Sequence, residues 1–186
     1  MKDRINGNEK HSIEDNNMIK WVYFPQSDKP TDMVIKVVDV FKKHANDINS
    51  DTHDKQESDE VLSKITNSLM KVGFRVETGK KSEQKIKVPV LFGQDGEIGK
   101  SFEADAFHVS ERFVLEVEAG RGVTNYQFLK DLFQASMMQG ISYLAIAVRN
   151  KYRRSNDFVR VFTFFDTLYK SNRLSLPLKG VLIVGY

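Results

Sequence analysis

The sequence predicts an α/β protein on a mixed sheet, with an antiparallel hairpin leading into a parallel strand–helix–strand crossover and helices flanking the sheet. Three observations predict it. Ser101–His108 and Arg112–Gly120 each alternate with a period of two, as half-buried strands do. Between Tyr126 and Met137 the apolar residues recur at helical spacing and stop at Gly140. Ser142–Val148 (SYLAIAV) is apolar on both faces, as a central parallel strand must be. Strand, crossover helix and buried strand make a βαβ unit, expected to be right-handed.

The elements follow in order. Residues 1–17 are charged, Asn-rich and aperiodic, and read as a disordered tail. Met18–Phe24 has strand composition and stops at Pro25. A helix starts near Asp32 and carries Val34, Val37, Val38 and Phe41 on one stripe up to about His44. Asn46–Glu57 is polar and Asp-rich and reads as a loop or linker. These boundaries make 18–57 an N-terminal strand–helix elaboration and linker, and 58–186 the core domain. Ser58 opens a helix with Val61, Leu62, Ile65, Leu69 and Val72 inward and Gly73 as its stop. Phe74–Glu77 and Lys85–Phe92 are strands, Pro89 marking the second as an edge or bulge. After the hairpin, Thr124 or Asn125 caps a helix whose packing stripe is Tyr126, Leu129, Phe133, Ser136 and Met137. Phe158–Tyr169 suits an amphipathic helix, with a strand as the alternative, and Gly180–Tyr186 closes the sheet.

Composition sets outer limits. A chain of 186 residues, 40% hydrophobic and 28% charged, suits one globular core with an extension. It has no cysteine, so disulfides and thiolate metal sites are excluded. No apolar run is long enough to span a bilayer and no signal peptide opens the chain, so a cytoplasmic protein without membrane partners is expected. A formal charge of +3 leaves nucleic-acid affinity to local patches.

The hairpin concentrates the chemistry. In its second half Phe113, Leu115, Val117 and Ala119 share one face, and Arg112, Val114, Glu116 and Glu118 the other. A two-residue turn at Ser110–Glu111 sets Asp105 opposite Glu116 and Glu103 opposite Glu118. Four carboxylates then crowd together, and a raised pKa, a basic partner or a hard divalent cation must relieve them. An amphipathic hairpin with its acids on the wet face is the plain alternative.

An acid on one strand, then acid-X-acid on the next, in this element order resembles the PD-(D/E)XK nuclease superfamily over roughly Ser58 to Val148. The resemblance implies a restriction-endonuclease-like fold. Asp105 matches the first acid, with Ala104 where many members have proline, and Glu116 the second. Glu118 stands where most members carry lysine, as in an ExE subgroup of restriction endonucleases. Glu60 matches the glutamate that the preceding helix supplies. The resemblance implies a Mg²⁺ site, with Mn²⁺ able to substitute, built from Asp105, Glu116, the Val117 carbonyl and Glu60. Glu118 then orients or deprotonates water, and Lys130 or Arg121 supplies the missing cation. Lys130 shares a helical stripe with Gln127 and Gln134, which a solvated polar face would also explain. Lys85, Lys87, Arg121, Arg149, Lys151, Arg153 and Arg154 suit phosphate contacts, with a solubility surface as the alternative.

The expected activity is that of a Mg²⁺-dependent DNA endonuclease of restriction or defence type. A repair or recombination nuclease, or a catalytically idle member that binds nucleic acid or protein, are the alternatives. Cutting both strands takes two active sites, which suits a homodimer.

Overall fold

The computed structural model describes residues 18–120, 123 and 125–186. The tail expected over 1–17, the cation expected at Arg121 and the cap expected at Thr124 lie outside the described residues. The strands are β1 Lys20–Phe24, β2 Arg75–Val76, β3 Ile86–Phe92, β4 Ile98–Ala104, β5 Ala106–His108, β6 Phe113–Glu118, β7 Tyr143–Val148 and β8 Gly180–Gly185. The helices are α1 Asp32–Lys43, α2 Ala45–Ile48, α3 Ser58–Lys71, α4 Gln127–Met137 and α5 Asp157–Ser171. Six strands form one sheet in the order β1-β8-β7-β6-β5-β2, and β3 and β4 form a separate two-stranded ribbon. The β6–β7 and β7–β8 pairs are parallel; the other pairs are antiparallel. This is the expected α/β class, with Phe158–Tyr169 inside a helix.

Strand alternation divides the interior into two cores. Phe113, Leu115, Val117, Ala145, Ala147, Leu182 and Val184 pack with α1, α2 and α3. Val114, Leu144, Ile146, Val148, Val181 and Ile183 pack on the other side with α4, α5 and the ribbon. The central strands are thus buried on both faces, which is why β7 reads as apolar throughout.

Residues 18–57 are built into this frame. β1 pairs with β8 along its whole length, from Lys20↔Gly185 to Phe24↔Val181. The stretch read as a linker is pinned from the far end of the chain. Asn150 donates its side-chain N–H to the Met18 carbonyl at 2.7 Å, and Ser50 Oγ donates to the Tyr186 carbonyl. Arg149 is buried, and its two terminal nitrogens donate to the Asp54 and Gln56 carbonyls. Among the described residues no helix is long and apolar enough to cross a membrane.

Two local readings need correction. The hairpin turn has four residues, Val109–Arg112, closed by Arg112 N–H on the Val109 carbonyl at 3.2 Å, with Arg112 at φ 55°. And α4 is rotated from its predicted face. Phe128, Asp131, Leu132 and Ala135 are buried, whereas Tyr126, Phe133 and Met137 are exposed. It starts after Tyr126, which has a left-handed φ of 54°. Asn125 therefore lies outside the helix. The apolar count misled because an acid occupies the inward face.

Arg149 is expected to matter to folding, since removing its buried guanidinium takes away the donor that holds the Asp54 and Gln56 carbonyls. Arg149→Met should lower unfolding free energy in urea by about 2–3 kcal/mol, whereas Lys151→Met, on an exposed ion pair, should change it by under about 1 kcal/mol.

Candidate active site

The site forms where one strand changes partners. β4 pairs with β3, ending at Ile86↔Ala104, and β5 pairs with β2 and β6 beginning at Ala106. Asp105 is the joint between them. Its carbonyl accepts the Glu77 N–H at 2.8 Å. Because β4 has departed, the edge of β6 beyond Leu115 has no strand partner on that side among the described residues. The Asp105 carboxylate fills the gap: Oδ2 accepts the Val117 N–H at 2.7 Å. A strand residue presents its N–H and C=O to the same side, so the Val117 carbonyl leaves β6 toward Asp105 as well.

The ladder Ala106↔Leu115, Phe107↔Val114 and His108↔Phe113 extends by one step to Asp105 opposite Glu116, the register the sequence predicts. Both side chains line one cavity of about 470 Å³, together with Glu77, Lys85, Lys130 and Gln134. Glu103 does not oppose Glu118: it pairs with Lys87 in the ribbon, and it is exposed although it too lines this cavity. Its place in the cluster goes to Asp131 of α4, which the sequence reading missed.

Environment explains the electrostatics. In the parallel register Glu116 stands beside Ile146 and Glu118 beside Val148, both core residues. Burial pushes Asp105 up to about 7, against the Val117 N–H and Lys85, which favour its charge; Glu77 and Asp131 add repulsion. Burial, then the Asp105 and Asp131 charges, push Glu116 well above the usual carboxylate range. Burial and Asp131 push Glu118 up to about 8. Asp131 is 1% exposed and is itself raised by burial, against Lys130. Among the described residues neither of its oxygens has a hydrogen-bond partner, although Lys130 Nζ stands 3.2 Å from Oδ1, an ionic contact without hydrogen-bond geometry. Burial lowers the Lys130 pKa, but Asp131, Glu118 and Glu116 outweigh it and the net shift is upward.

The other expected residues separate into those near the acids and those elsewhere. Lys130 and Gln134 line the Asp105–Glu116 cavity, while Gln127 and Glu118 line a neighbouring one. Lys85 also lines the acid cavity, bonded to Glu77 at 2.8 Å. Lys87 donates to Ser82 Oγ at 2.5 Å on the ribbon. Glu60 is exposed in the first turn of α3 and accepts the Glu57 N–H at 3.2 Å; it does not line the acid cavity. Glu77 is the acid that arrives from that side, immediately after β2. Arg149, expected at phosphate, is committed to the Asp54 and Gln56 carbonyls. Lys151 lies 3.7 Å from Asp51, and Arg153 and Arg154 line a separate basic cavity. His108 is held by the Val72 carbonyl at 3.1 Å and the Glu111 N–H at 3.3 Å.

The donor set suits a hard cation. Carboxylate oxygens and a strand carbonyl are ligands that Mg²⁺ accepts, and the buried Asp131 carboxylate, paired only with Lys130 among the described residues, is close enough to raise Asp105 and Glu116. Among the described residues no three His, Asp or Glu side chains converge as a ready-made cage. Mg²⁺ commonly takes one or two carboxylates and completes its shell with water and phosphate. Glu60 does not join that set. Neither a protein-family model, nor a curated protein, nor a solved structure matches this chain.

The raised acids carry a pH signature. Asp105 and Glu118 keep protons up to about 7 and about 8, whereas unfolded carboxylates titrate near about 4. The folded chain then binds more protons than the unfolded chain between those limits. Stability from these protonated acids is full below about pH 4 and is lost as pH rises through about 7 to 8. In chelator, the Tm is expected to fall between about pH 5 and about pH 9. Asp131→Asn or Glu118→Gln should flatten the fall, and Mg²⁺ should restore the Tm at the alkaline end. A Tm indifferent to pH and to Mg²⁺ across that window would contradict the cluster.

Proposed function

We propose that this chain hydrolyses phosphodiester bonds in DNA as a divalent-metal-dependent endonuclease with a restriction-endonuclease-like fold. One observation carries the reading: Asp105 and Glu116, from different strands, line the same cavity, with Asp105 locked onto the backbone between Glu116 and Glu118. An ordinary wet acidic hairpin would leave those carboxylates in solvent, apart and unperturbed.

Asp105, Glu116 and the Val117 carbonyl would hold Mg²⁺ or Mn²⁺. The ion would supply Lewis acidity, polarising the phosphoryl oxygen and acidifying water. With the cation's charge in place Glu118 would give up the proton it otherwise keeps up to about 8 and, ionised, accept the proton of the attacking water as its oxygen bonds to phosphorus. The phosphorus–oxygen bond opposite breaks, and the leaving oxygen takes a proton from solvent. Lys130 balances charge on the phosphoryl oxygens, the part a strand lysine plays in most members of the superfamily that the motif resembles. Lys130 arrives from α4 instead, beside Asp131 and close enough to Glu116 and Glu118 to raise its own pKa.

The expected result is that purified protein with Mg²⁺ or Mn²⁺ nicks or cuts plasmid DNA. Glu116→Ala should lower the rate by about 10²-fold or more, and Lys130→Ala should lower it while leaving the Mg²⁺-dependent Tm rise in place. Discrete fragments support a restriction role, and preference for branched substrates a repair role. Binding without cutting on duplex, branched and single-stranded DNA would overturn catalysis in favour of an idle binding member.

A further inference from the structure

We propose that the arginine-lined cavity beyond Gly120 is a phosphate subsite, holding an internal backbone phosphate of the strand whose scissile bond lies at the acids. This inference rests on the nuclease reading. The cavity measures about 700 Å³, and its lining includes Gly120, Tyr152, Arg153, Arg154, Asn156 and Arg160. Among the described residues no carboxylate lines it, and no ion pair joins any of the three arginines to an acid. Among those residues, the one side-chain bond to these guanidiniums is from Arg160 to Ser155 Oγ, at 3.4 Å. Asp157 is buried at the start of α5, near Arg160, and does not line the cavity. Of the cations first expected at phosphate, Arg149 is spent on carbonyls, Lys85 on Glu77 and Lys151 on Asp51. Three guanidiniums with no acid paired to them among the described residues, around one hollow, call for an anion, and their planar forks match phosphate oxygens.

The same surroundings argue against a base or other flat ligand. Among the described residues the only ring in the lining is Tyr152, and the Arg149 and Arg153 guanidiniums lie 5.1 Å and 5.2 Å from its centroid. Gly120 closes on it too: a Cβ there would meet the ring at 2.9 Å, at a φ of +67°. The ring is already covered, so what remains open is charge.

Position ties the cavity to the acids. Gly120, Tyr152 and Arg153 line both this cavity and the one reached by Glu118 and Gln127, so the two share a wall. Gly120 follows Glu118 by two residues, at most about 7 Å of extended chain, comparable to about two steps of rise along one strand of DNA. A strand with one phosphate at the acids that continues past Gly120 would set a further phosphate at the arginines.

The test measures DNA affinity by fluorescence anisotropy in chelator, with the full chain and an uncut duplex oligonucleotide, across a salt series. Arg154→Ala with Arg160→Ala is expected to weaken binding and to reduce the slope of log affinity against log salt by about 0.9 for each phosphate no longer neutralised. The Tm should be unchanged. Lys151→Ala, outside the cavity, should leave the slope within error. Unchanged affinity and slope in the double variant would overturn the subsite. So would affinity that depends on a 5′-terminal phosphate, because a strand end rather than an internal phosphate would then fill the cavity. Cleavage is scored separately: binding through these arginines without cutting by the wild type sinks the nuclease reading alone, and cutting with an intact slope in the variant sinks only the subsite.

Discussion

Carboxylates set on the apolar face of a buried strand repel one another, and the arrangement around β6 follows from that repulsion. Two like charges about 4 Å apart cost about 4 kcal/mol at an effective dielectric of about 20. A hydrogen bond to a charged group returns about 1.5–3 kcal/mol. The Val117 N–H on Asp105 is therefore too little to keep Asp105, Glu116, Glu118 and Asp131 all ionised. Protons must stay on, which the raised acids express, or a cation must arrive. Lys130 and Lys85 are the cations that the described residues bring to the acids, and with Lys85 bonded to Glu77 they cannot balance four carboxylates.

Much of the frame was legible because it follows from periodicity. Alternation in Phe113–Val117 and the two-sided apolarity of β7 come directly from a sheet covered on both faces. The Asp105–Glu116 register survived a wrong turn length because the four-residue turn has the same centre as the two-residue one. What failed depended on partners distant in sequence. Nothing local in Ala104-Asp105-Ala106 announces that the strand leaves one sheet and joins another, so Glu103 was set against Glu118 when it belongs opposite Lys87. Arg149 resembles its neighbours in the basic run; only the fold brings the Asp54 and Gln56 carbonyls to it from nearly a hundred residues away.

The missed acid has the same kind of explanation. A helix face is read by maximising apolar residues, and that rule turned α4 toward Phe133 and Met137, which are exposed. Shifting the stripe onto Phe128, Leu132 and Ala135 puts an aspartate among buried residues, which the rule penalises. Asp131 is tolerated because its neighbours there are Glu118, which can share a proton with it, and Lys130. A charged residue within an otherwise apolar stripe was the available signal, and the penalty should have been read as a pointer to chemistry.

The rotation of α4 also bears on Glu118, which stands where most members of the superfamily that the motif resembles carry lysine. A lysine at position 118 would emerge beside Val148 and carry its charge from the strand itself. With glutamate there, the positive charge has to come from another element, and it must be held close without collapsing onto the acids. Lys130 is about half exposed, while its partner Asp131 is buried. The ammonium is thus tethered at its side by a group that cannot leave, yet remains free to turn toward the cavity that Asp105 and Glu116 line. Placing acid and base next to each other on the helix makes the site's charge balance depend on how α4 docks, not on β6 alone. In the proposed reaction, then, the helix that packs the crossover also carries the cation, and a shift in its packing would change catalysis without touching either strand.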